Sequence, residues 1–183
     1  MDRIADFLFE AKTLKELPRA GYPFLGAGRE SIAEHSFMTA FIAFTLSRMA
    51  SDVDGAKMVA MALIHDLPEA RTGDLNYVQK KYVKALEKNA IYDMSRGLSF
   101  CDELSLLMEE FNMGETLESK LVNDADQISF IMELKKLQDT GSKTPEKWLP
   151  FVMGRLKTDM GQKLAKSIVS TTWDHWWMDN YSE

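Results

Sequence analysis

The sequence predicts an all-α fold built as a bundle of helices. Three observations predict it. Apolar residues recur every three or four positions along most of the chain, strand-like alternation of useful length is missing, and capping or breaking residues bound the apolar runs. Ile4, Phe7, Leu8, Ala11 and Leu14 give a first amphipathic helix that ends near Pro18. Arg19 to Glu30 holds Gly21, Pro23, Gly26 and Gly28 and reads as a loop, whose length so early in the chain points to function. Ser31 with Glu34 three residues on is a capping box that starts a helix to about Met49. Its inward face carries His35, Met38, Thr39, Ile42 and Leu46.

Asp52 or Asp54 caps a third helix that runs through Met58, Val59, Ala62 and Leu63 to Asp66, with Pro68 marking its end or a break. Gly73 suggests a turn, and a charged helix with sparse apolar positions follows from about Tyr77 to Arg96. Ser99 and Asp102 start another through Leu104, Leu107, Met108 and Phe111. After a break at 112–114, a helix from about Thr116 to Leu137 buries Leu121, Ile128, Ile131 and Leu134. Residues 140–145 form a second break. A short helix near Trp148 and a longer last one from Thr158 to about Met178 complete the series.

A chain of 183 residues is the usual size of one compact domain, and 45% hydrophobic with 27% charged residues is the balance of a globular protein. A net charge of -6 argues against a protein that coats a nucleic-acid backbone, so no polymer partner is expected. A small anionic substrate stays compatible, because a bound divalent cation and one or two basic side chains reverse the field locally. The lone Cys101 makes no intrachain disulfide, no apolar stretch reaches the length that spans a bilayer, and the first residues lack a signal-peptide pattern. A soluble cytoplasmic protein without membrane attachment is the expectation.

Chemistry enters with the histidines. His35 and His65 fall on inward faces of neighbouring helices, and His65 is joined directly to Asp66. Imidazole nitrogens and carboxylate oxygens held rigidly, with open positions for water and substrate, are what a catalytic divalent metal needs. The second carboxylate should come from another helix. Asp126 lies inside the apolar segment Leu121 to Leu134, where an unpaired acid is unfavourable unless a cation compensates it. Asp124 competes, and because the two differ by roughly 200° around a helix, only one faces the site. Periodicity alone gives Asp126 a modest edge.

These segments resemble the HD superfamily of metal-dependent phosphohydrolases, and within it the small HD-domain 5'-nucleotidases, from about Leu14 to Leu137. Residues 30–36, ESIAEHS, are similar to the segment of the first histidine. Residues 64–74, IHDLPEARTGD, resemble the HDxxExxxGD segment, and NDADQ at 123–127 resembles the last-ligand segment, with Asp126 as the ligand. The resemblance implies an HD-type bundle over 1–183, with a core of about 14–137 and C-terminal helices at 145–180 packing on it. It implies one divalent ion (Mn, Co, Ni, Fe, Zn or Mg) held by His35, His65, Asp66 and Asp126. Glu69 would act on the attacking water, Asp74 on the sugar or the reaction, and Arg19 on the phosphate. Tyr22 stands where the family usually carries Trp against the sugar.

The expected activity is removal of phosphate from nucleoside or deoxynucleoside 5'-monophosphates by a homodimer. A dNTP triphosphohydrolase, a cyclic-nucleotide phosphodiesterase and a non-catalytic metal-binding regulatory protein are the alternatives. A guanosine tetraphosphate hydrolase is disfavoured, because Ala70 follows Glu69 where those enzymes resemble HDxxED. Lys80, Lys81 and Lys84 read as a solvated face, and His175 among Trp173, Trp176 and Trp177 reads as terminal packing or a dimer contact.

Overall fold

Helices form where the apolar periodicity and the caps coincide, and they end where either fails. A computed structural model describes residues 1–179 and 181. Residue 180, where the expected C-terminal packing helices end, and residues 182–183 of the expected domain lie outside the described residues. In chain order the α-helices are α1 (Asp2–Lys12), α2 (Tyr22–Leu25), α3 (Ile32–Met49), α4 (Gly55–Ile64), α5 (Glu69–Thr72) and α6 (Glu87–Ser95). They continue with α7 (Cys101–Met113), α8 (Leu117–Asp139), α9 (Pro145–Met153), α10 (Asp159–Ser170) and α11 (His175–Met178). Among the described residues there is no strand, only an isolated antiparallel bridge between Pro18 and Ser31.

The two longest helices, α3 and α8, pack on each other and on α4, and α9 and α10 cover the other side of α8. Leu46, Met58, Met61, Ile128, Ile131 and Leu134 are fully buried between them. Each contributes about 1.5–3 kcal/mol on burial, so this layer sets the helix registers. A second core of Leu14, Ile32, Ile91, Met94, Leu104 and Met108 joins the end of α1 to α6 and α7. Among the described residues, no helix is long and apolar enough to cross a membrane.

Three expectations are corrected. The charged stretch 77–96 is not one helix: a 3-10 turn at Gln79–Lys81 gives way to irregular chain, and α6 begins only at Glu87. Only its second half offers core-facing residues, Ala90, Ile91 and Met94, so the lysine-rich first half has nothing to pack. The last helix breaks at Thr171, which is extended, and Trp173 N–H donates to Asp139 Oδ2 at 2.9 Å instead of continuing the spiral. The glycine-rich loop holds the single turn α2, which Gly26 ends in the left-handed conformation.

That loop is pinned at both ends. Arg19 N–H donates to Glu30 O at 2.9 Å and Ile32 N–H to Leu17 O at 3.0 Å, so Arg19 and Glu30 come together at its neck. Gly28, with φ +79°, lies against Tyr22, and a Cβ there would stand 2.9 Å from the ring. The loop folds over Tyr22 for that reason.

Candidate metal centre

Each member of the cluster is delivered by a local device. Ser31 Oγ accepts from Glu34 N–H at 3.2 Å while Glu34 Oε2 accepts from Ser31 N–H at 2.6 Å, which fixes the first turn of α3 and with it His35. His35 is completely buried. Helix α4 ends at Ile64, two residues before the expected Asp66, yet the spiral does not unwind. Leu67 N–H donates to Ile64 O and Glu69 N–H to Asp66 O at 3.0 Å, so His65, Asp66 and Glu69 follow one continuous turn into α5. Pro68 stands at its start rather than stopping it. Asp126 comes from the middle of α8.

The four side chains meet. His35 Nε2 lies 2.9 Å from Asp126 Oδ1 and 3.7 Å from Asp66 Oδ2, and His65 Nε2 lies 3.3 Å from the same Asp66 oxygen. Nitrogen or oxygen atoms of His35, His65 and Asp126 all fall within 4.8 Å of one another. Asp124 points elsewhere: fully buried, it accepts from Lys157 N–H, Thr158 N–H and Thr158 Oγ1 at 2.6–2.9 Å and so ties the start of α10 to α8.

These residues fit a divalent ion. Ala62 O can only accept, so at 2.7 Å it fixes a proton of His65 on Nδ1 and leaves Nε2 as the ring atom turned toward the cluster. That Nε2 is buried and has no hydrogen-bond partner among the described residues, the arrangement of a ligand nitrogen. The charge balance agrees. Burial alone would lower His65, but Asp66 and Asp126 outweigh it and push it up to about 9, so without a metal the carboxylates draw a proton, a positive charge, to the place where a cation would sit. Burial would raise Asp66, but His65 and Arg19 hold it far below the usual carboxylate range. Against the same burial, His35 brings Asp126 to about 2. A pair of half-buried carboxylates beside a fully buried imidazole favours positive charge here.

The cluster opens on a cleft of about 700 Å³ lined by Arg19, Tyr22, Asp66, Glu69, Asp74 and Asp126 among others. Glu69 Oε2 is buried without a hydrogen-bond partner among the described residues, and burial, then Asp66 and Asp74, push its carboxyl up to about 8. Arg19 Nη1 donates to Asp66 Oδ2 at 2.9 Å, and its Nε is 3.8 Å from Asp74 Oδ2. Asp74 Oδ2 also accepts from Ala20 N–H at 2.7 Å, so it anchors the loop that carries Arg19. Tyr22 is mostly buried and donates to Glu30 Oε2 at 3.3 Å. His175 is not part of this constellation: it pairs with Asp179 on an exposed turn and does not line the cleft.

The chain matches the family model of the HD domain over residues 11–168. It belongs to the HD-domain family. It is 30% identical over 145 residues to the 5'-deoxynucleotidase HDDC2 of Dictyostelium discoideum, covering 73% of this chain and 76% of that one. The human 5'-deoxynucleotidase HDDC2 is 27% identical over 142 residues, which is 74% of this chain and 69% of the relative. Among solved structures, a conserved hypothetical protein from Pyrococcus furiosus superposes with a TM-score of 0.75 at 27% identity, covering 91% of this chain and 99% of that one.

Four features of this HD-domain chain were not read from its sequence. Glu30 looks like loop punctuation in the primary structure, yet it is buried, with Oε2 4.0 Å from His35 Nδ1. Ser129 Oγ lies 3.3 Å from the same nitrogen. Gln127 Nε2 donates to Asp126 Oδ2 at 2.8 Å, and its position beside Asp126 was the available signal. The fourth feature is an aromatic wall from α8 and α9, for which no periodicity argument gives the facing direction.

Proposed function

We propose that this chain is a metal-dependent phosphohydrolase of the 5'-nucleotidase kind, removing phosphate from nucleoside or deoxynucleoside 5'-monophosphates. One observation carries the reading: the cluster of buried His35 and His65 with half-buried Asp66 and Asp126 opens into a cleft that also holds Arg19, Glu69 and Asp74. The likeness to relatives named 5'-deoxynucleotidase supports the substrate class.

His35, His65, Asp66 and Asp126 would hold one divalent ion, of Mn, Co, Ni, Fe, Zn or Mg. When bound, such an ion supplies Lewis-acid polarisation of a phosphoryl oxygen and lowers the pKa of water. A cation bound at the neighbouring cluster would favour the carboxylate form of Glu69, which would accept the proton of the attacking water as the water oxygen bonds to phosphorus and the phosphorus–O5' bond breaks, and would return that proton to the leaving O5'. Arg19 has donors beyond those turned to Asp66 and Asp74, and these offset charge on the phosphoryl oxygens. Asp74 accepts from the sugar while it holds the Arg19 loop. Tyr22 gives that loop a fixed floor beside the sugar.

The same reading takes residues 1–183 as one domain, with a core of about 14–137 and the C-terminal helices on it. It takes the protein as a cytoplasmic homodimer without a nucleic-acid polymer or membrane partner. Phosphate release from a panel of mono-, tri- and cyclic nucleotides with Mn, Co or Zn tests the activity. Monophosphates should be preferred, and Asp66→Ala should lower turnover at least about 100-fold. Full turnover by Asp66→Ala with metal present, or no release from any 5'-monophosphate, would sink the proposal.

A further inference from the structure

The geometry points to a nucleobase platform formed by Trp148 and Phe151 of α9 with Phe130 of α8, which makes α9 the element that recognises the base. This rests on the nucleotidase reading, since that reading supplies the phosphate end of the ligand. The platform comes from other observations.

The cleft of about 700 Å³ is the size of a small-molecule site, and its lining combines acidic with aromatic side chains. Asp66, Glu69 and Asp126 line it at the cluster, whereas Phe130, Trp148 and Phe151 line it from α8 and α9. Helix α8 joins the two ends. Phe130 follows Asp126 by four residues, so both lie on one face, with a rise of about 6 Å between them. That rise is the scale of one pentose between a phosphate and a base.

The platform is held firmly. Phe130 and Trp148 meet edge to face with ring centroids 5.9 Å apart and an interplanar angle of 80°. Helix α9 is fixed on α8 through buried Leu149 and Val152, yet Phe151 between them is 74% exposed. A single exposed phenylalanine is ordinary on a protein surface. One that lines the same cleft as four acids and sits beside an anchored indole is placed to stack on a ring. Phe37, Phe41 and Phe44 of α3 are also exposed, but they do not line this cleft.

A polar reader accompanies the platform. Gln127 Nε2 donates to Asp126 Oδ2 while its Oε1 accepts from Arg155 Nη1 at 3.5 Å, which holds the Arg155 guanidinium at the cleft lining. Stacking is tolerant of base identity because every base has a π-face. The wall therefore selects for a base, and Arg155, a pure donor, meets acceptor atoms on its edge.

Two measurements test this. Purified protein is first titrated with adenosine, which lacks phosphate, while tryptophan emission is followed, and Trp148→Phe provides the blank for the other three tryptophans. Saturable quenching that disappears in Trp148→Phe and weakens about 5- to 100-fold in Phe151→Ala is expected. Then kcat/KM is compared for a nucleoside 5'-monophosphate and for ribose 5-phosphate. Phe151→Ala should shrink the preference for the nucleotide by a similar factor, mostly through KM, and Phe151→Trp should restore it. Quenching that is insensitive to both positions, or a preference retained by Phe151→Ala, overturns the platform. Absence of all phosphatase activity would count against the nucleotidase reading alone, because the adenosine titration needs neither metal nor turnover.

Discussion

Two aspartates two residues apart on α8 do opposite work. Asp126 faces the imidazoles, whereas Asp124 accepts three hydrogen bonds from the start of α10. Asp124→Ala would leave those donors unsatisfied in a closed site, at a cost of about 2–4 kcal/mol. Denaturant unfolding should show that loss with metal affinity within a few-fold of the parent, while Asp126→Ala should do the reverse. Gly161→Ala should resemble Asp124→Ala, because a Cβ there would collide with the Asp124 carboxylate. Glu30 carries a pH effect. Burial and then Glu133 raise its carboxyl to about 7, against the opposing pull of Arg19 and the Tyr22 hydroxyl, with His35 Nδ1 4.0 Å away. Between its ordinary value of 4.5 and about 7 the folded state keeps a proton that the unfolded chain has lost. Stability therefore falls as pH rises through that window, by up to about 3 kcal/mol, and levels off above it. Glu30→Gln, which still accepts from Tyr22, should flatten that part of a stability-against-pH curve relative to the parent. A curve unchanged in slope would remove Glu30 as its source.

At the scale of elements, the sequence was most legible where local and tertiary demands coincide. The capping box at Ser31 and Glu34 starts α3 as expected, and the apolar stripe of α8 is buried as its periodicity implies. The roughly 200° between positions 124 and 126 does separate the two acids. What local pattern could not supply was the stretch 77–86, where helix propensity without a packing face gives only one 3-10 turn. Nor could it supply the facing of α9, since which side of Trp148 and Phe151 meets a cleft depends on how α9 docks on α8. The cap has a functional consequence because His35 lies in the first turn that it secures. Ser31→Ala should cost about 1 kcal/mol of stability, and the frayed turn should also weaken binding of Mn or Zn in a calorimetric titration. A stability loss with unaltered metal affinity would mean that packing of α3 alone holds His35.

For the whole molecule, the cluster is a place where folding and ion binding are linked. His35 reaches it from α3, His65 and Asp66 from the turn after α4, and Asp126 from α8, so three helices converge on it. In the unfolded chain those ligands are scattered, and an ion that binds only the folded state stabilises it by RT ln(1 + [L]/Kd). At a free ion concentration of 100 times Kd this amounts to about 2.7 kcal/mol. For a chain of 183 residues that corresponds to a rise in Tm of roughly 5–10 °C. The melting temperature should therefore climb with added Mn, Co or Zn and fall back with a chelator. Asp66→Ala and Asp126→Ala should lose most of the response, and Asp124→Ala should start from a lower Tm but keep it. The order of the ions by Tm shift also ranks their affinities without any assay of turnover. Equal Tm values with ion and with chelator, at ion concentrations that support hydrolysis, would show that the cluster binds its metal too weakly to couple to folding.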